Sequence, residues 1–275
     1  MKQFLSILLC IVAVSACTPQ AEQLVILHTN DTHSQVEPNN ANLGGYARRM
    51  GIIAAERAQN PDLLLLDAGD FSQGTPYFNF YHGRVEVDAM NRMGYDVVTL
   101  GNHEFDNGVD TLAAILRDAK FEVVCANYKL NGCALEGIVK PYTILKRQGL
   151  KIGVFGLGVE PGTLIGESNF APLEYLDPYV VAQKTAALLK REKKCDVVIC
   201  LSHLGTVYED EPDSPSDVKL AELSTDIDVI IGGHTHRLYD LRIANAIGKE
   251  IPVVQMRKAG IYIGKIILDI CSSEK

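Results

Sequence analysis

The chain has 275 residues, 47% hydrophobic and 22% charged, with a formal net charge of -8 at pH 7. That length supports one large α/β domain with a substantial core. The acidic balance excludes a protein that wraps a nucleic-acid polymer, because gripping a phosphate backbone takes a basic surface. A small phosphorylated substrate stays open, since bound metal supplies positive charge locally.

The first residues read as an address. Lys2 precedes an apolar stretch from Phe4 to Val14, too short for a transmembrane helix, and Ser15 and Ala16 supply small residues before a processing point. Val14-Ser15-Ala16-Cys17 resembles a bacterial lipobox. That implies a lipoprotein signal peptide over 1–16, acylation of Cys17 and a lipid anchor in the bacterial cell envelope, on its periplasmic or cell-surface side. An ordinary cleaved secretory peptide is the alternative. Residues 17–23 form a short polar tether, and 24–275 form the folded domain. Of the other cysteines, Cys125 and Cys200 lie in apolar runs and read as small buried hydrophobes; nothing in the spacing pairs disulfides.

Beyond the tether, apolar runs at 24–28, 63–67, 96–100, 196–201 and 228–231 read as buried strands. Further strands are expected at 122–126 and 151–157. Helical spacing predicts crossover helices over 46–58, 85–93 and 109–119, and a long amphipathic helix over 178–193. The acidic, Pro-bearing stretch 209–216 reads as an exposed loop. Near the end, 251–256 and 261–270 read as two antiparallel strands joined at Lys258-Ala259-Gly260, so the sheets are expected to be mixed.

The five runs share a second property: each is followed by metal-type side chains. Asp31 and His33 follow the first, Asp70 the second, Asn102 and His103 the third, His203 the fourth, and His234 and His236 the fifth. In an open α/β sheet, groups just past the carboxyl ends of strands converge on one crevice. Asp31-x-His33 alone is common turn chemistry, and a lone strand-end histidine is usually a hydrogen-bonded core residue. Asp70 at the mouth of a buried strand needs a cap, an ion pair or a cation, because unpaired burial of a charge costs several kcal/mol. Gly101-Asn102-His103-Glu104-Phe105-Asp106 is the most specific segment, with Asp106 spaced to orient the His103 imidazole. Aromatic residues at 77, 78, 80 and 81 either wall the site or pack in the core.

Together these segments resemble the calcineurin-like metallophosphoesterases, and within them the catalytic domain of the 5'-nucleotidases. The motifs are Leu27-His28-Thr29-Asn30-Asp31-Thr32-His33, Gly44-Gly45, Asp67-Ala68-Gly69-Asp70, Gly101 to Asp106, Ser202-His203-Leu204-Gly205 and Gly232-Gly233-His234-Thr235-His236. The resemblance implies a four-layer α/β sandwich of two mixed β-sheets flanked by helices. It implies two divalent metal ions, one held by Asp31, His33, Asp70 and His236, the other by Asp70, Asn102, His203 and His234. It implies that His103 and Asp106 are the catalytic pair. Nitrogen and oxygen donors suit zinc, manganese, iron or cobalt better than an all-oxygen magnesium cage.

The reaction so implied is metal-dependent hydrolysis of a phosphate ester, in the first place a nucleoside 5'-monophosphate. Alternatives are a 2',3'-cyclic nucleotide phosphodiesterase, a UDP-sugar diphosphatase, a broad phosphomonoesterase, or a metal-bearing binding lipoprotein without turnover. The complete 5'-nucleotidases carry a second, nucleoside-binding C-terminal domain, for which this sequence has no counterpart. A separate polypeptide supplying that domain is therefore an expected partner.

Overall fold

The computed structural model describes residues 22–270 apart from Thr163, Glu209 and Pro212. The expected signal peptide over 1–16, Cys17 and Cys271 lie outside the described residues. Strand β1 (Glu22–Thr29) takes in Glu22 and Gln23, which the sequence assigned to the tether.

Thirteen strands follow: β2 (Leu64–Asp67), β3 (Val97–Thr99), β4 (Glu122–Val124), β5 (Tyr128–Lys129), β6 (Val139–Lys140), β7 (Tyr142–Arg147), β8 (Leu150–Leu157), β9 (Glu174–Tyr175), β10 (Val197–Ser202), β11 (Val229–Gly232), β12 (Leu238–Ala244), β13 (Glu250–Met256) and β14 (Gly264–Ile270). They form two six-stranded sheets, in the orders β14-β1-β2-β3-β4-β6 and β12-β13-β11-β10-β8-β7, and a small β5-β9 ribbon. Both large sheets are mixed: β14 runs antiparallel to β1, β7 to β8 and β12 to β13, while the inner pairs are parallel.

The inner strands are buried on both faces, which is why they read as unbroken apolar runs rather than alternating ones. Between the sheets, Leu24, Ile26, Leu64 and Leu66 meet Ile152, Val154, Ile199 and Ile231. On the outer face of the first sheet, Leu27, Leu65 and Val98 pack with Ile53 of α1 (Tyr46–Gln59), Val87 and Met90 of α3 (Arg84–Met93) and Leu112 of α4 (Gly108–Leu116). On the outer face of the second, Phe155, Val198 and Ile230 pack with Ala182 and Ala186 of α6 (Pro178–Ala187) and Leu220 of α7 (Asp217–Leu223). Helix, sheet, sheet, helix is the expected four-layer order. Cys125 and Cys200 are buried free thiols, as expected of small hydrophobes, and burial pushes the Cys125 thiol up to about 12.

Two expectations need correction. The 251–256 and 261–270 strands do not pair with each other, because β13 lies in the second sheet and β14 in the first. The antiparallel partner of β13 is β12, joined to it by a turn in which Asn245 Oδ1 accepts the Ile247 and Lys249 amides at 3.1 and 2.9 Å. Lys258-Ala259-Gly260 instead carries the chain across the sandwich, with the Ala259 amide donating to the Asp31 carbonyl at 2.7 Å. The long helix at 178–193 is α-helical only to Ala187 and closes in a wider π-type turn over Leu188–Glu192.

Among the described residues, no helix is long and apolar enough to cross a membrane. The loops after β1, β2 and β3 of one sheet and after β10 and β11 of the other open at the same end of the sandwich, where Asp31, Asp70, His203 and His234 come together.

Candidate metal centre

The loop after β1 reverses at once, with Asp31, His33 and Ser34 all at positive φ, 48°, 43° and 52°. Side-chain-bearing residues adopt that left-handed region at a cost of about 1–3 kcal/mol each, so the surroundings must impose it. They do: the Asp31 amide donates to the Gly69 carbonyl at 2.9 Å and the His33 amide to the Asp70 carbonyl at 3.0 Å, locking this loop to the one after β2. Asp70, His234 and His236 also have positive φ, at 55°, 75° and 56°. Glycines let these turns interleave. A side chain at Gly69 would come within 2.6 Å of the Gly101 nitrogen, and one at Gly101 would strike Asp70 Oδ1.

The turns aim their side chains at one spot. Asp31, His33, Asp70 and His236 each bring a donor atom within 4.8 Å of the others, and Asp70, His203 and His234 form a second such group. His33 Nε2 is 2.8 Å from His236 Nε2, and His236 Nε2 is 3.5 Å from Asp31 Oδ1. In the second group, His203 Nε2 is 3.0 Å from Asp70 Oδ2, and Asn102 Oδ1 is 3.1 Å from His234 Nδ1. All seven candidate donors therefore converge, with Asp70 common to both groups.

This donor set fits divalent cations on three grounds. First, His203 Nδ1 donates to the Ala68 carbonyl at 2.7 Å, which leaves Nε2 as the lone-pair nitrogen of the neutral ring. That Nε2 is fully buried and has no aligned hydrogen-bond partner. Second, the ion-pair partners of buried Asp31 and Asp70 among the described residues are all imidazoles. Third, the site calls for positive charge. Burial opposes charging of His203, yet the Asp70 and Asp31 carboxylates outweigh it and push His203 up to about 10. Burial likewise opposes ionisation of Asp70, and the nearby His203 charge holds that carboxyl below its ordinary range. A divalent cation provides the same compensation once the ring gives up its proton. His234, crowded by burial and by His203, is depressed to about 4 and so offers a neutral ring.

His103 stands beside this cluster, its ring centroid 5.3 Å from that of His33. Its Nδ1 is 2.9 Å from Asp106 Oδ2, the predicted orienting contact. Burial works against the charged ring, but the Asp106 hydrogen bond and the Asp70 charge prevail, and its pKa lies above the ordinary histidine value. The backbone anchors the pair as well: the His103 amide donates to Asp70 Oδ1 at 2.9 Å, and Asn169 Nδ2 holds the Asp106 carbonyl at 2.9 Å.

Sequence reasoning passed over the residues that hold the donors in place. Glu104 is buried and accepts the backbone amides of Asp70, Ser72 and Gly101 at 2.9, 3.0 and 2.7 Å, stapling the loop after β2 to the loop after β3. A glutamate in the glycine-led segment 101–105, directly after a buried strand, was the available signal, because a carboxylate there must find donors. The His234 amide donates to both Asp31 oxygens at 3.0 Å, and Gln255 Oε1 ties Thr206 and Thr235 at 2.7 and 2.6 Å. Of the aromatic group on α2 (Pro76–Tyr81), Phe78 alone is buried, while Phe80 and Tyr81 are exposed.

Comparison with known proteins agrees with this geometry. The calcineurin-like phosphoesterase family matches residues 24–238. A snake venom 5'-nucleotidase from Gloydius brevicauda is 34% identical over 271 residues, taking in 88% of this chain and 44% of the relative. The 5'-nucleotidase of Rattus norvegicus is 34% identical over 284 residues, 90% of this chain and 46% of the relative. Among solved structures, a 5'-nucleotidase precursor from Thermus thermophilus superposes with a TM-score of 0.80 at 35% identity, covering 90% of this chain and 51% of that one. The calcineurin-like phosphoesterase YfkN of Bacillus subtilis gives 0.75 at 28%, covering 91% and 85%. The chain spans about half the length of the curated relatives it matches. Fold, strand-end donors and family match agree: the chain belongs to the calcineurin-like phosphoesterases, and its relatives within them include 5'-nucleotidases.

Proposed function

We propose that this chain is an exported phosphoesterase that binds two divalent metal ions and hydrolyses nucleoside 5'-monophosphates or closely related nucleotides. The observation that carries the reading is the pair of donor groups sharing Asp70. Asp31, His33, Asp70 and His236 hold one ion; Asp70, Asn102, His203 and His234 hold the other, with zinc, manganese, iron or cobalt suited to these donors. Such ions, when bound, lower the pKa of water and neutralise charge on phosphoryl oxygens.

The chain's own residues do the rest. Asp106 fixes the His103 ring through Nδ1, leaving Nε2 to hydrogen-bond a phosphoryl oxygen or to protonate the departing alkoxide. The Glu104 staple keeps Asp70 and Asn102 at their stations while charge builds on the phosphoryl group. His103→Ala is expected to lower kcat for AMP by about 10²–10⁴-fold, the usual worth of general acid–base catalysis. Unchanged turnover would remove His103 from the mechanism. Phosphate release from AMP, UDP-glucose, 2',3'-cyclic AMP and p-nitrophenyl phosphate, with and without chelator, tests the reading as a whole: AMP is expected to lead and chelator to abolish every activity.

The lipobox-like Val14-Ser15-Ala16-Cys17 supports anchoring at the bacterial cell envelope.

A further inference from the structure

Beside the donor cluster lies a cavity of about 350 Å³, in the range small-molecule sites occupy. Its inner wall includes His234, one of the cluster's donors. The rest mixes polar residues with apolar ones, the latter being Val159 and Leu164 from the segment after β8, Leu204 after β10, and the half-buried ring of Tyr208. Tyr208 is fixed in place, its hydroxyl donating to the Leu204 carbonyl at 2.7 Å and its ring centroid 6.5 Å from that of His234. Glu160 and Glu211 stand at the lining, the latter accepting from Ser214 Oγ at 3.0 Å.

These surroundings select a ligand chemically. A pre-set aromatic face and aliphatic walls favour a flat, weakly hydrated group, which stacks at little entropic cost. Carboxylates can accept from hydroxyl or N–H donors but repel a second phosphate. We infer that this cavity is a leaving-group subsite within the catalytic domain itself, receiving the nucleoside of a 5'-monophosphate on Tyr208 with Glu160 and Glu211 turned toward its hydroxyl and N–H groups. The inference rests on the phosphoesterase reading above. It adds that nucleoside selectivity begins here and that nucleoside diphosphates, which would bring a phosphate into the subsite, are disfavoured.

The test uses the metal-loaded full chain and compares AMP with β-glycerophosphate and ADP. Wild type is expected to prefer AMP over β-glycerophosphate in kcat/KM. Tyr208→Leu is expected to lower that preference about five- to hundredfold, the worth of a base stacked on an aromatic ring, mainly through KM for AMP. Tyr208→Phe keeps the ring without the hydroxyl, so the preference survives; loss in both variants would mean that the hydroxyl's hydrogen bond is structural, and would overturn the assignment. Glu160→Gln combined with Glu211→Gln is expected to raise ADP turnover relative to AMP. Wild type preferring ADP would place the substrate in the adjoining hollow, where Arg237 stands, and would also overturn it. Metal-loaded enzyme inert toward all three substrates would instead defeat the phosphoesterase reading.

Discussion

The two ends of the sandwich both carry carboxylates drawn in from solvent, half-buried at one end and buried at the other, but they are answered differently. At the amino ends of the strands, Asp96 accepts from Arg147 Nη2 at 2.6 Å and from the Leu65 amide at 2.9 Å. Asp228 accepts from Lys190 Nζ, Lys249 Nζ and the Val198 amide at 2.9, 2.6 and 2.9 Å. At the carboxyl ends, Asp31 and Asp70 face imidazoles. A carboxylate with fixed ammonium or guanidinium partners keeps them, whereas one among imidazoles can exchange a ring proton for a metal ion. The first end is a structural clasp; the second has the donors that our proposed function assigns to cations.

The contrast breaks hardest at Asp70. Asp70→Asn keeps the shape and removes the shared charge, so both donor groups weaken together and activity is expected to fall at least about 10³-fold, as the loss of several kcal/mol of metal stabilisation requires. Parallel activity and metal-content assays check it. Glu104→Gln comes next. An amide cannot accept three backbone N–H groups in the arrangement the carboxylate does, so metal affinity is expected to drop about 10–100-fold by chelator competition while the fold stays intact. Glu104→Asp, which keeps the charge on a shorter arm, should recover part of that loss.

Asp228→Asn sharpens the comparison from the other end. It should cost about 1–3 kcal/mol of stability in denaturant unfolding and leave metal content unchanged. Its pH dependence has a definite sign. Burial alone would raise the Asp228 pKa, but Lys249 and Lys190 outweigh it and hold it below the ordinary carboxylate value. Its contribution is therefore present above the unfolded carboxylate pKa, roughly 3.9. It is lost as pH falls through the lower folded value. Wild type and Asp228→Asn should then differ in stability at neutral pH and converge in acid; a constant difference would show that Asp228 acts by packing alone.

What the sequence reveals and what it hides divide along the same lines. The inner strands and their donors are legible because burial on both faces writes continuous apolar runs, and each run stops at a chemically distinctive residue such as Asp70 or His203. Strand β12 is not: Tyr239, Leu241 and Ile243 alternate with Asp240 and Arg242 as an edge strand's residues do, rather than forming the continuous apolar run that marks the inner strands. Missing β12 left β13 to be paired wrongly with β14. Glu104 was hidden for another reason, since two of its three partners are backbone amides of a loop more than thirty residues away, and backbone donors have no sequence identity. The subsite around Tyr208 joins the segment after β8 to the one after β10, a tertiary juxtaposition without a local pattern.

Elemental analysis of the purified chain, after reconstitution with divalent metal and removal of the excess, tests the central claim most directly, with Asp70→Asn measured beside it. Two ions bound per wild-type chain, with loss of both upon the Asp70 substitution, is the predicted result. A wild-type chain that retains no stoichiometric metal, or a variant that keeps the full complement, would contradict the shared-carboxylate socket.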